Sequence, residues 1–210
     1  MAGKRVLMVE GSDDEHVVKH ICGQRQLGTI ETIHPYGGKD QLIEGISVRM
    51  KESDINVLGI ILDADTDLQA RWQAVASRLS AAGYNAVPAS PAPEGTIIES
   101  PADSLLPRVG VWLMPDNQVP GILEDFLRFL VPEGDALLAH VEQSIDSIPL
   151  AQRKFADLRK PKARIHTYTW LAWQEEPGKP FGQAISARYL DPNLPTANIF
   201  AGWLQRTFFS

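Results

Sequence analysis

Acidic side chains stand where two apolar runs stop. Glu10, Asp13 and Asp14 follow Val6-Leu7-Met8-Val9, and Asp63, Asp65 and Asp67 follow Ile60-Ile61-Leu62. Carboxylates gathered in one place repel one another unless protons or a cation compensate them. The chemistry that uses such a cluster is oxygen ligation of a hard divalent metal, Mg2+ or Mn2+. Glu10 sits at the end of its run rather than inside the next helix. Gly11 allows a tight turn with space for a phosphate or metal, and Asp14, one helical turn on, can face that space. Asp63 and Asp65 share the period of a strand and hence one side of it. Glu124 and Asp125 open a later apolar segment, Gly121 to Leu127. The basic run Lys160 to His166 supplies Lys162, which beside a metal centre can offset charge on a transferring phosphate.

Plainer readings compete at each position. Ser12 and Glu15 fit a capping box, and Asp13 and Glu15 suit the positive end of a helix dipole. An EF-hand loop starting at Asp63 fails, because its sixth and twelfth positions are Leu68 and Ala74 instead of Gly and Glu. A haloacid-dehalogenase arrangement lacks its later acidic pair, since Gly134-Asp135 is followed by Ala139. Gly37-Gly38-Lys39 lacks the Walker pattern, with Ile33 at the first glycine position and Asp40 in place of Ser/Thr. That segment reads as a turn. The histidines have no metal spacing, and His20 reads as a surface or packing residue.

Positioning these acids is the task of the elements around them. Short β-branched runs alternating with helical periodicity predict strands at 5–10, 29–35, 57–63 and 85–88, and helices at 13–25, 39–51 and 68–82. This order gives an α/β fold with a doubly wound parallel sheet flanked by helices. Parallel strands joined by right-handed crossovers end on one edge, so Glu10, Asp63 and Asp65 gather where open α/β sheets bind ligands. Residues 88–107 read as a long loop with a short strand at 96–98, and 109–114 as a fifth strand. Helices are expected at 121–131, 135–146 and 150–158. The division is a core over 1–130 and a mainly helical C-terminal extension over 131–210. The tail from Lys160 holds three of five tryptophans (Trp170, Trp173 and Trp203), which predicts that it packs on the core.

The 210 residues suffice for a substantial core. Lys4-Arg5 precede too few apolar residues for a signal peptide, and no apolar stretch reaches the roughly 20 residues that span a bilayer. The single cysteine, Cys22, excludes an internal disulfide. The expectation is a cytoplasmic protein without membrane association. A net charge of −6 disfavours a generic nucleic-acid coat while permitting an enzyme that acts on phosphodiesters.

Taken together, Val9-Glu10-Gly11 with Asp14, and Leu62-Asp63-Ala64-Asp65, resemble the TOPRIM domain of topoisomerases, primases and related nucleases. Adding Val111 to Asn117, Gly121 to Leu127, Lys162 to Thr167 and Leu171 to Gln174 makes the pattern similar to the DUF3226 family of uncharacterised bacterial proteins, itself similar to the TOPRIM part of OLD-family nucleases. The resemblance covers nearly the whole chain. It implies a Rossmann-like TOPRIM core in which Glu10, Asp14, Asp63, Asp65 and Glu124 bind metal, with Glu10, Asp63, Asp65 and Lys162 catalytic. Asp67, Asp116 and Asp125 are candidates to support these ligands from behind. Ile122 departs from the OLD pattern, which has serine there. The implied activity is Mg2+- or Mn2+-dependent hydrolysis of DNA or RNA by a two-metal mechanism. A phosphatase, a nucleotidyl transferase and a non-catalytic metal-binding adaptor are the rivals. A homodimer or a protein partner is compatible with the sequence.

Overall fold

The computed structural model describes residues 3–210. Five strands form one sheet: β1 (Lys4–Val9), β2 (Thr32–Pro35), β3 (Ile55–Asp63), β4 (Thr96–Ile98) and β5 (Arg108–Met114). Their spatial order is β2-β1-β3-β5-β4, parallel except for β4, which runs antiparallel to β5. The expected parallel sheet flanked by helices is therefore present. Residues 85–88 are not a strand. The chain passes from α3 (Leu68–Ala82) through Gly83, in the left-handed conformation at φ 113°, into the proline-rich loop. Pro88 in that loop has no N–H to give to a ladder, and the edge position falls to Thr96–Ile98 instead.

The central strands β1, β3 and β5 are buried on both faces along most of their length, and their side chains alternate between two apolar layers. Val6, Met8, Leu58, Ile60, Leu62, Val111 and Leu113 pack on α2 (Lys39–Arg49) and α3 through Leu42, Ile46, Trp72 and Leu79. Leu7, Val9, Ile61, Trp112 and Met114 face the opposite layer. That layer comprises α1 (Ser12–Gln24), α4 (Leu123–Arg128), α5 (Ala136–Asp146), α6 (Lys160–Ala172), α7 (Phe181–Ser186) and α8 (Pro195–Phe208). The helix expected at 150–158 is absent. A 3-10 turn over Asp157–Arg159 leads directly into α6, which Pro161 opens near its first position.

The tail packs tightly. Phe200 and Trp203 of α8 lie 5.0 and 5.8 Å from Trp112 of β5, ring centre to ring centre. Trp173 is half-buried beside Tyr189, whereas Trp170 is exposed. Gly59 and Gly110 are register partners on β3 and β5. A Cβ at Gly59 would meet Phe208 at 2.4 Å, and one at Gly110 would meet Thr207 at 2.5 Å. The paired glycines form a shelf that admits the end of α8 against the sheet. Among the described residues no helix is long and apolar enough to cross a membrane.

Candidate functional site

β1 connects to β2 on one side while β3 lies on the other, so the strand order reverses at the β1/β3 boundary. Glu10 follows the last residue of β1, and Asp63 is the last residue of β3. Crevices at such a reversal are where open α/β sheets bind ligands. An open cavity of about 390 Å³ occupies this edge. Glu10, Asp13, Asp14, Asp63 and Glu124 line it, together with Arg159 and Lys162.

Backbone amides hold the acids in place. Asp63 N–H donates to Glu10 Oε1 at 2.9 Å, tying the end of β1 to that of β3. Leu123 N–H, at the start of α4, donates to Asp63 Oδ1 at 2.8 Å. Gly11 N–H donates to Asp14 Oδ2 at 3.0 Å, across the N-terminus of α1. Glu124 is buried and paired with Lys162 at 3.0 Å. Helices α1, α2, α4 and α6 all begin at this cavity, so their positive ends face the acids.

This support does not fully balance the charge. Burial, then repulsion from Glu10 and Glu124, pushes the Asp14 carboxyl up to about 7. Burial, then the charges of Asp14, Glu10 and Glu124, holds Asp63 well above the usual carboxylate range. Burial raises Glu10 as well, and Asp65 adds repulsion. Among the described residues no lysine or arginine forms an ion pair with Glu10, Asp14 or Asp63, and no three Asp, Glu, His or Cys side chains converge closely enough to ligate one ion as they stand. Uncompensated like charges keep apart, and each of these three acids has taken a backbone partner instead.

Asp65 stands outside the cavity lining. β3 ends at Asp63, so the period of two does not continue to Asp65. Asp65 N–H donates to Gly121 O at 2.9 Å, and its backbone is left-handed at φ 54°. Its Oδ2 accepts from Arg71 Nη2 at 2.7 Å and from Lys39 Nζ at 3.1 Å. Arg71 Nε also donates to Asp63 O at 2.9 Å, stapling the turn. The three acids expected behind the ligands hold local backbone. Asp67 caps α3 through Ala70 N–H, Asp116 accepts from Gln118 and Val119, and Asp125 accepts from Ile122.

One contributor escaped sequence reasoning, and a second was read only as a turn. Arg159 lies one residue before the basic run counted from Lys160, and extending that run by one position would have included it. Gly37 and Gly38 form the expected turn, both N–H groups donating to Glu10 O at 2.9 and 3.1 Å, and they also line the cavity.

Residues 4–209 match the family described as "Protein of unknown function (DUF3226)". The chain belongs to the DUF3226 family. The match takes in the sheet, the acidic edge, the 3-10 turn and α8. No curated protein and no solved structure matches the chain.

Proposed function

We propose that this DUF3226 protein is a TOPRIM-like, OLD-like nuclease that hydrolyses phosphodiesters of DNA or RNA with Mg2+ or Mn2+ in the acidic cavity. The carrying observation is that Asp14, buried, and Asp63 and Glu10, partly buried, face one cavity, are held above their ordinary pKa chiefly by burial and neighbouring carboxylates, and make no ion pair among the described residues. An all-oxygen set of this charge suits a hard divalent ion, and such an ion activates water and stabilises the leaving oxygen in phosphodiester hydrolysis.

Of the five acids that line the cavity, Glu10, Asp14, Asp63 and Glu124 would hold the metal. Asp65 lies outside the cavity lining and is paired with both Arg71 and Lys39, whereas Glu124 lines the cavity and shares it with its partner, Lys162, so these four carry the proposal. Lys162 keeps its ammonium at the cavity, where it can offset negative charge on a phosphoryl oxygen. Backbone N–H groups of Asp63 and Leu123 hold Glu10 and Asp63 at the cavity, and a metal would draw these carboxylates together from their present spacing.

The test is cleavage of plasmid, single-stranded DNA and RNA with Mg2+ or Mn2+, beside Asp63→Asn. Cleavage by the parent and a loss of at least a hundredfold in the variant is the expected result. Hydrolysis of phosphomonoesters alone would move the assignment to a phosphatase. A metal-dependent thermal shift without turnover on any substrate would leave a metal-binding module.

A further inference from the structure

The two cations at the acidic cavity differ in status. Lys162 is committed to Glu124. Arg159, at the N-cap of α6, lines the same cavity and is exposed, and among the described residues it has no ion-pair partner. Its neighbours are engaged: Arg153 pairs with Asp157, and Lys160 and Arg164 pair with Asp146.

Two features bear on what Arg159 does. Residues 153–164 contain six of the protein's 20 lysines and arginines and a single acid, Asp157, in a chain of net charge −6. Of these six, Arg159 and Lys162 line the cavity, so positive charge stands beside its negative interior, an arrangement that draws a polyanion to a site whose floor would repel it. A guanidinium also presents a planar fork of donors that matches two phosphate oxygens at once, which an ammonium does not. Arg159 and Lys162 lie three residues apart at the first turn of α6, spacing that puts both on one side of it.

We propose that Arg159 grips a backbone phosphate of the nucleic-acid strand next to the scissile one, and so seats the strand over the carboxylates. This rests on the phosphodiesterase reading above. Lys162 faces the reacting phosphate, and Arg159, at the exposed edge, holds its neighbour. A contact to a flanking phosphate acts equally on the bound substrate and on the transition state, so it governs KM rather than kcat.

The experiment is steady-state cleavage of a labelled single-stranded oligonucleotide by the full chain and by Arg159→Ala, Arg159→Lys and Lys51→Ala, at several salt concentrations. Lys51 follows the C-terminal end of α2, away from the acidic cavity, and controls for net charge. The expected result for Arg159→Ala is a KM about tenfold higher, kcat within twofold of the parent, and a salt dependence of kcat/KM shallower by about one phosphate contact. Arg159→Lys should fall between the two, and Lys51→Ala should match the parent. The Mn2+-dependent thermal shift should be the same in all four proteins, because Arg159 does not hold the metal. An unchanged KM for Arg159→Ala in an active enzyme overturns this assignment and leaves the nuclease intact. A fall in kcat at constant KM also overturns it, since that places Arg159 on the reacting phosphate. A parent that cleaves no nucleic acid removes the nuclease reading and this inference with it.

Discussion

Asp14 is held by a single backbone amide in a buried position, and its neighbours repel its charge. Such a residue costs stability in the free protein. Asp14→Asn keeps an oxygen to accept from Gly11 N–H while removing the charge. The expected outcome, in EDTA at pH 8, is a higher midpoint of thermal unfolding by several degrees, corresponding to about 1–3 kcal/mol. The same variant should lose the stabilisation that Mn2+ gives the parent. A lower midpoint would make Asp14 a structural cap and nothing more. Glu10, Asp14 and Asp63 were legible in the sequence because strand ends and a first helical turn have fixed directions. Asp65 was not, because its direction depends on one backbone torsion and on Arg71, six residues on, neither of which a period of two encodes. Arg159 was hidden by the 3-10 turn, which sequence periodicity mistook for the end of a helix at 150–158.

The C-terminal helix shows what an element contributes to a site it does not line. α8 buries Phe200, Trp203, Leu204 and Phe208 against the sheet, and side chains of this kind contribute about 1.5–3 kcal/mol each when removed from water. Its approach depends on Gly59 and Gly110 in the strands that deliver Asp63 and Met114 to the site edge. Gly59→Ala places a methyl against Phe208 and against Leu7, the latter at 2.8 Å. A destabilisation of about 1–3 kcal/mol is expected from overpacking, read as a lower urea midpoint. Cleavage measured well below that midpoint should change little, because Gly59 lies four residues before Asp63. An unchanged midpoint would mean that α8 is held elsewhere. The order of strands and helices up to residue 82 followed directly from hydrophobic periodicity, and so did the fifth strand. The tryptophans announced that the tail packs on the core, but the antiparallel direction of β4 and the shelf at Gly59 and Gly110 that receives α8 were not legible, because both are fixed by partners remote in sequence. A glycine inside a strand announces close approach without naming the partner.

Across the whole molecule the acidic edge sets how stability responds to pH. Asp14, Asp63 and Glu10 all bind protons more tightly folded than unfolded. Their contribution to stability is therefore fully present below the ordinary carboxylate range and is lost as pH rises through their folded values. For Asp14 that window runs from 3.8 to about 7. Each group that is protonated when folded and ionised when unfolded lowers stability by about 1.4 kcal/mol per pH unit. Other groups shift oppositely and oppose this loss only toward the acid end of the pH 5.5–8 interval and below it. Asp54 and Asp146, held down by their lysine and arginine partners, matter at lower pH, and His20 and His166, lowered chiefly by burial, penalise the folded state only below 6.5. In EDTA the unfolding midpoint should consequently fall between pH 5.5 and pH 8. A divalent ion competes with the protons on the same oxygens, so its affinity rises over that interval. Excess Mn2+ should flatten the fall or reverse it, and the thermal shift it causes should be several times larger at pH 8 than at pH 5.5. Parallel pH profiles with and without Mn2+ would show that protons and metal do not share a site, and the carboxylates would then be an edge of helix caps under electrostatic tension.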